Sequence, residues 1–179
     1  MAVAEFRSHP GGVPLSSSAD ETRWPAEVDL FWEDLEVGRA FQLGEHRVTQ
    51  EEILDFGRRY DPQPFHVNPE AARRSHFQGL IASGWQSCAI WMRLYYEAVL
   101  RRSASLGSPG VEEVRWLSPV RPGDVLTGEV RVLQARLSRS RPHWGLAQLG
   151  SELTGQDGVT RLSLRAWGLF GRRPPTEPG

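Results

Sequence analysis

The chain has 179 residues and a formal net charge of −1, so one domain is expected and bulk charge excludes a strongly basic nucleic-acid binder. Hydrophobic residues make up 39% and charged residues 24%, which supports a packed core and argues against wholesale disorder. There is no lysine, so Schiff-base chemistry and a phosphate-loop lysine are excluded, and the single cysteine, Cys88, rules out an internal disulfide and a cysteine-based zinc cluster.

Residues 1–28 are rich in Gly, Pro, Ser and charge with no sustained period, and are expected to form a flexible tail. Residues 172–179 read the same way, which leaves 29–171 as the folded domain. No apolar run reaches the roughly 18 residues of a membrane span. The opening residues lack the apolar core of a secretory signal, so a cytoplasmic protein is expected.

Residues 41–48 read as a strand, with Phe41, Leu43 and Val48 among polar neighbours. Thr49 followed by Glu52 is a capping box, and Ile53, Phe56 and Tyr60 then recur at helical spacing, which predicts a helix over 50–60. Two prolines in 61–67 push Asp61 and Gln63 toward extended conformations, so this stretch is not helix interior. Asn68 then Pro69 marks a helix start, and a short helix is expected to Arg74. From Ser83 or Gly84 to about Arg102 runs a long helix, with Trp85, Cys88, Ala89, Met92, Tyr95, Tyr96 and Val99 at three- and four-residue steps. It reads as mostly buried and central. Four strands follow, over 111–118, 125–137, 143–153 and 159–170, separated by turns at PVRPGD, SRSRP and Gln156-Asp157-Gly158. Strand, helices and then an antiparallel run of strands is the α+β pattern, in which a central helix needs a sheet to bury its face.

Few residues suggest chemistry. His9 lies in the expected tail, His46 and His143 lie on strands, and no histidine pair has metal-ligand spacing, so no metal is expected. Cys88 sits inside the long helix and reads as a small core residue. That leaves Asp61 and His66, five apart in a proline-stiffened loop. A carboxylate and an imidazole held together can move protons on one water molecule. Fully extended, five residues span about 17 Å, so the two meet only if the loop folds back. Ser83 and Gly84 open the long helix, whose first amides need acceptors. Gly84 suits either close packing or the approach of a ligand oxygen.

The run Tyr60-Asp61-Pro62-Gln63-Pro64-Phe65-His66, then Asn68-Pro69-Glu70-Ala71-Ala72, Phe77 and Gly79-Leu80-Ile81-Ala82-Ser83-Gly84, resembles the MaoC-like dehydratases. That family includes the (R)-specific enoyl-CoA hydratases and has a hot-dog fold, an antiparallel sheet wrapped around a long helix. The turn Val120-Arg121-Pro122-Gly123-Asp124 is also similar to hot-dog proteins. The resemblance covers about residues 30–170. Three departures stand out: Gln63 where Asn is common, Ser83 where many members carry His, and Tyr60 rather than Gly before Asp61.

The resemblance implies reversible hydration of a trans-2-enoyl thioester to an (R)-3-hydroxyacyl thioester. Asp61 and His66 would hold the water, and Ser83 and Gly84 would lie at the thioester, with the Gly84 amide on its oxygen. No cofactor is implied. The substrate would be an acyl-CoA or acyl-carrier-protein thioester, and the protein a homodimer or larger homo-oligomer, with neither nucleic acid nor membrane as partner. Arg73, Arg74, Arg115 and Arg121 lie near the site segments and would suit CoA phosphates, or serve as solvated surface charge. Two other readings stay open: a hot-dog acyl-CoA thioesterase, and a non-catalytic thioester-binding subunit of a hydratase assembly.

Overall fold

The computed structural model describes residues 24–175. Strand β1 (Ala40–Arg47) leads into helix α1 (Gln50–Tyr60), followed by α2 (Pro64–Val67), α3 (Pro69–Arg74) and α4 (Gly84–Ala98). The strands β2 (Gly110–Trp116), β3 (Val125–Leu137), β4 (Trp144–Gly155) and β5 (Thr160–Gly171) complete the chain. They form one sheet in the order β1-β3-β4-β5-β2, and every neighbouring pair is antiparallel. Consecutive strands β1 and β2 therefore occupy opposite edges. The connection between them must cross the sheet, and α4 makes that crossing against one face.

The core lies between α4 and the sheet. Ile90, Trp91 and Leu94 meet a layer that includes Leu126, Val130 and Val132 of β3, Leu149 and Leu153 of β4, and Leu162 and Leu164 of β5. Burying each large apolar side chain contributes about 1.5–3 kcal/mol, which is why the helix settles there.

The expected elements are present within a residue or two at most boundaries, with two differences. The first is α2. Gln63 is extended and Asp61, at φ −149° and ψ 73°, is out of the helical region but not extended, and Pro64 takes the first position of a one-turn helix that carries His66. The second is α4, which ends at Ala98 and buries a stripe that includes the expected Tyr95, with Val99 buried just beyond its end, but not the expected Trp85, Met92 or Tyr96. Gln86, Ser87, Ile90, Trp91, Leu94 and Tyr95 face inward. Trp85, Met92 and Tyr96 are 61%, 47% and 47% exposed. The helix has two apolar stripes and the sheet covers one of them.

Contacts extend past both expected domain boundaries. Trp24 lies against Gly171. Arg172 and Arg173 pair with Glu33 and Asp34 at 2.9 and 2.7 Å. The remainder of the expected tails, 1–23 and 176–179, lies outside the described residues.

The capping box at α1 is formed as expected. Thr49 Oγ1 accepts from Glu52 N at 3.1 Å, and Glu52 Oε2 accepts from Thr49 N at 2.9 Å. The same carboxylate oxygen lies 3.2 Å from His46 Nε2 on β1, so one side chain fixes both the helix start and its attachment to the sheet. Thr49→Ala should lower unfolding free energy by about 1 kcal/mol in urea titration, with the slope unchanged.

Candidate active site

Four local features bring the site together. Asp61 caps the C-terminus of α1 and turns the chain out of the helix. Pro64 starts α2 and so places His66 on a rigid single turn. Gly57 lets that turn pack against α1, because a side chain there would run into the His66 carbonyl and Val67. The buried segment 80–83 then returns alongside α2, with Ile81 N donating to Phe65 O at 3.2 Å and Ala82 N donating to Val120 O at 2.9 Å.

The Asp61 and His66 side chains meet. His66 Nε2 lies 3.3 Å from Asp61 Oδ2, with side-chain exposures of 5% and 18%. The loop folds back as the proximity of the pair requires. On its other side, His66 Nδ1 lies 2.8 Å from the Ile81 carbonyl oxygen. A carbonyl only accepts, so Nδ1 carries a hydrogen, and the opposite ring nitrogen, Nε2, is the one turned toward Asp61.

Ser83 is buried at the N-cap of α4. Its hydroxyl donates to Asp61 Oδ2 at 2.6 Å and accepts from Trp85 N at 3.2 Å. The residue expected at the thioester thus also holds the carboxylate. Asp61 Oδ1 accepts from Gln63 Nε2 at 2.9 Å. The sequence marks Gln63 as an extended residue and a departure from a pattern, not as a partner of Asp61; its spacing two after Asp61, in a chain bent by prolines, is the available signal. The Ile81 carbonyl carried no sequence signal, since any residue supplies one.

Burial works against charge on Asp61, but the hydrogen bonds from Ser83 and Gln63, with the neighbouring His66, outweigh it. The net effect holds the Asp61 carboxyl below the ordinary carboxylate value, so it is an anion at neutral pH. Gly84 N, the first amide of α4, has no protein acceptor among the described residues. A helix-terminal donor therefore stands next in sequence to the serine that grips the carboxylate.

The arginines near these segments divide. Arg121 Nη2 donates to Phe77 O at 2.7 Å, tying the β2–β3 turn to the loop before 80–83. Arg115 pairs with Glu113 at 2.6 Å on the edge strand. Arg73 and Arg74 stand exposed on the last turn of α3.

Ser83→Ala should raise the Asp61 pKa, because a hydrogen bond to the charged form is lost. Carbon-13 NMR of the Asp61 carboxyl would read the upward shift. Unfolding free energy should fall by about 1–3 kcal/mol, from the lost cap and the weakened carboxylate. Asp61 has a depressed folded-state pKa, so its contribution to stability is full above the unfolded value and is lost as pH falls through the folded one. The stability difference between the wild type and Asp61→Asn should therefore shrink on acidification below about pH 4, measured by urea titration.

Residues 34–148 match the MaoC-like domain family. The chain is 39% identical to a MaoC-like dehydratase from Rhodospirillum rubrum, with a TM-score of 0.74 over 82% of this chain and 100% of that one. An (R)-hydratase from A. caviae, described as involved in PHA biosynthesis, is 25% identical, with a TM-score of 0.62 over 79% and 99% of the two chains. A Mycobacterium tuberculosis protein described as a double hotdog fold is 14% identical, with a TM-score of 0.73 over 87% of this chain and 48% of that one. The chain belongs to the MaoC-like family and has its hot-dog fold, the sheet curling around α4, with Asp61, His66, Ser83 and Gly84 gathered where that helix begins.

Proposed function

We propose that the protein hydrates a trans-2-enoyl thioester, reversibly, to an (R)-3-hydroxyacyl thioester. The observation that carries this reading is the Asp61–His66 pair, 3.3 Å apart and beside the start of α4. A carboxylate accepts, and so does Nε2 of an imidazole in its neutral form with the hydrogen on Nδ1. One water can donate a hydrogen to each, which leaves its oxygen lone pair free for attack.

As the water oxygen bonds to the β-carbon, one of its protons passes to the pair. The electrons of the C=C bond move toward the thioester carbonyl, whose oxygen becomes enolate-like. The Gly84 amide donates to that oxygen, a type of interaction worth roughly 3–4 kcal/mol in oxyanion holes. The pair then returns a proton to the α-carbon, so the atoms of one water are added and nothing is left over. Ser83 keeps Asp61 in place and anionic while this happens. The Ile81 carbonyl keeps His66 in the tautomer that faces the water.

The thioester carrier is coenzyme A or an acyl-carrier protein, and the protein acts as a homodimer. Support for self-association comes from the uncovered stripe of α4. Trp85, Met92 and Tyr96 lie exposed there, and Val111 and Trp116 lie exposed on the edge strand β2. Apolar surface beside an open strand edge is costly in water and invites a matching copy.

Loss of conjugated-enoyl absorbance with crotonyl-CoA tests the activity. Asp61→Asn should reduce kcat by at least about 10²-fold with folding intact, and chiral analysis should give the (R)-alcohol. Near-normal turnover by the variant would remove Asp61 from the chemistry. Release of free CoA would instead favour a thioesterase, and binding without turnover a non-catalytic subunit. Light scattering should give at least a dimer at micromolar concentration, and Met92→Glu should shift it toward monomer. A wild-type monomer would count against the assembly.

A further inference from the structure

Trp116 ends β2, and its indole lies across the first turn of α4. A Cβ on Gly84 would fall 2.5 Å from Trp116 Cε2 and 2.6 Å from its Nε1. Only hydrogen fits between helix start and ring. The ring packs edge-on against Trp85, with centroids 5.3 Å apart at 75°. Both indoles nonetheless remain open, Trp116 at 48% and Trp85 at 61%. They pack on each other at the surface, with the Trp116 side chain also hydrogen-bonded to Cys88, rather than being enclosed in the core, as the lining of an apolar binding surface would be.

The position of the ring fixes what it can touch. A thioester oxygen accepting from Gly84 N sits about 3 Å from it. The carbonyl carbon and the atoms one or two bonds away then come within van der Waals reach of a ring already in contact with Gly84. Those atoms include the α-carbon and any substituent on it. The far end of a linear acyl chain is several bonds more distant. The other flank of Gly84 is polar, with Ser83 and Asp61 joined at 2.6 Å. The Asp61–His66 pair therefore takes one face of the enoyl group, as the hydration requires, and the indole lies against the group from the opposite side.

We propose that Trp116 is a specificity-determining residue, which admits linear enoyl thioesters and excludes those branched at the α-carbon. This rests on the hydratase reading and adds to it the part of the substrate that the protein inspects. An α-methyl group would compete with the indole for the same space, whereas a hydrogen would not. Trp85 keeps the indole from swinging aside.

The test compares kcat/KM for crotonyl-CoA and tiglyl-CoA, its 2-methyl homologue, in the wild type, Trp116→Ala and Trp116→Leu. The tiglyl-to-crotonyl ratio should rise about tenfold or more in the variants. Each ratio is taken within one preparation, so partial loss of folded protein cancels. The leucine variant keeps an apolar side chain on β2 and reads the ratio even where the alanine variant fails to fold. A wild type that hydrates crotonyl-CoA, with the ratio unchanged in the folded variants, overturns this inference and leaves the hydratase reading standing. A wild type that hydrates tiglyl-CoA as well as crotonyl-CoA does the same. No wild-type turnover of either thioester removes the hydratase reading and this inference with it.

Discussion

Residues 80–83 are buried, and a backbone amide or carbonyl shut away from water must find a partner. Ile81 N takes the Phe65 carbonyl and Ala82 N takes the Val120 carbonyl. The Ile81 carbonyl takes the His66 ring, and the Ser83 hydroxyl takes Asp61. Satisfying this one short segment therefore ties α2, the turn before β3, the N-terminus of α4 and the Asp61 carboxylate together. The bonds that keep the interior paired are also the bonds that orient the site, so the site cannot loosen without leaving buried polar groups unmet.

The same arrangement sets the charge. A partly buried carboxylate would ordinarily be pushed toward its neutral form, yet Asp61 receives a hydroxyl from Ser83 and an amide from Gln63. Ser83 is also the N-cap of α4, so the carboxylate sits at the positive end of a helix. On the proposed reaction path, the Gly84 amide at that end stabilises the oxygen that gains charge. Carboxylate and thioester thus depend on where one helix starts.

α4 is also where the fold meets its surroundings. With β1 and β2 at opposite edges, the helix must traverse the sheet, and only one of its two apolar stripes finds cover there. The other stripe begins beside Gly84 and Trp116. In the proposed dimer, an interface and a substrate wall would be parts of one continuous apolar surface, and substitutions there would affect assembly and selectivity together.

Much of this was legible in the sequence because local rules carry it. Thr49 and Glu52 announce a helix start, Asn68-Pro69 another, and alternation with turn residues marks the strands. These depend on hydrogen bonds and dihedral preferences within a few residues, which a sequence writes directly. Asp61, His66, Ser83 and Gly84 were legible as candidates by residue type and by resemblance. Their meeting was not, because spacing allows five residues to span anything from contact to about 17 Å. The buried stripe of α4 is only partly legible, at Tyr95 and Val99, for a related reason: two apolar faces recur at the same period, and only the sheet decides which is covered. The Ile81 carbonyl and the indole over Gly84 belong to the tertiary structure alone. One is a backbone group that every residue possesses, and the other joins positions brought together only when β2 lies beside the start of α4.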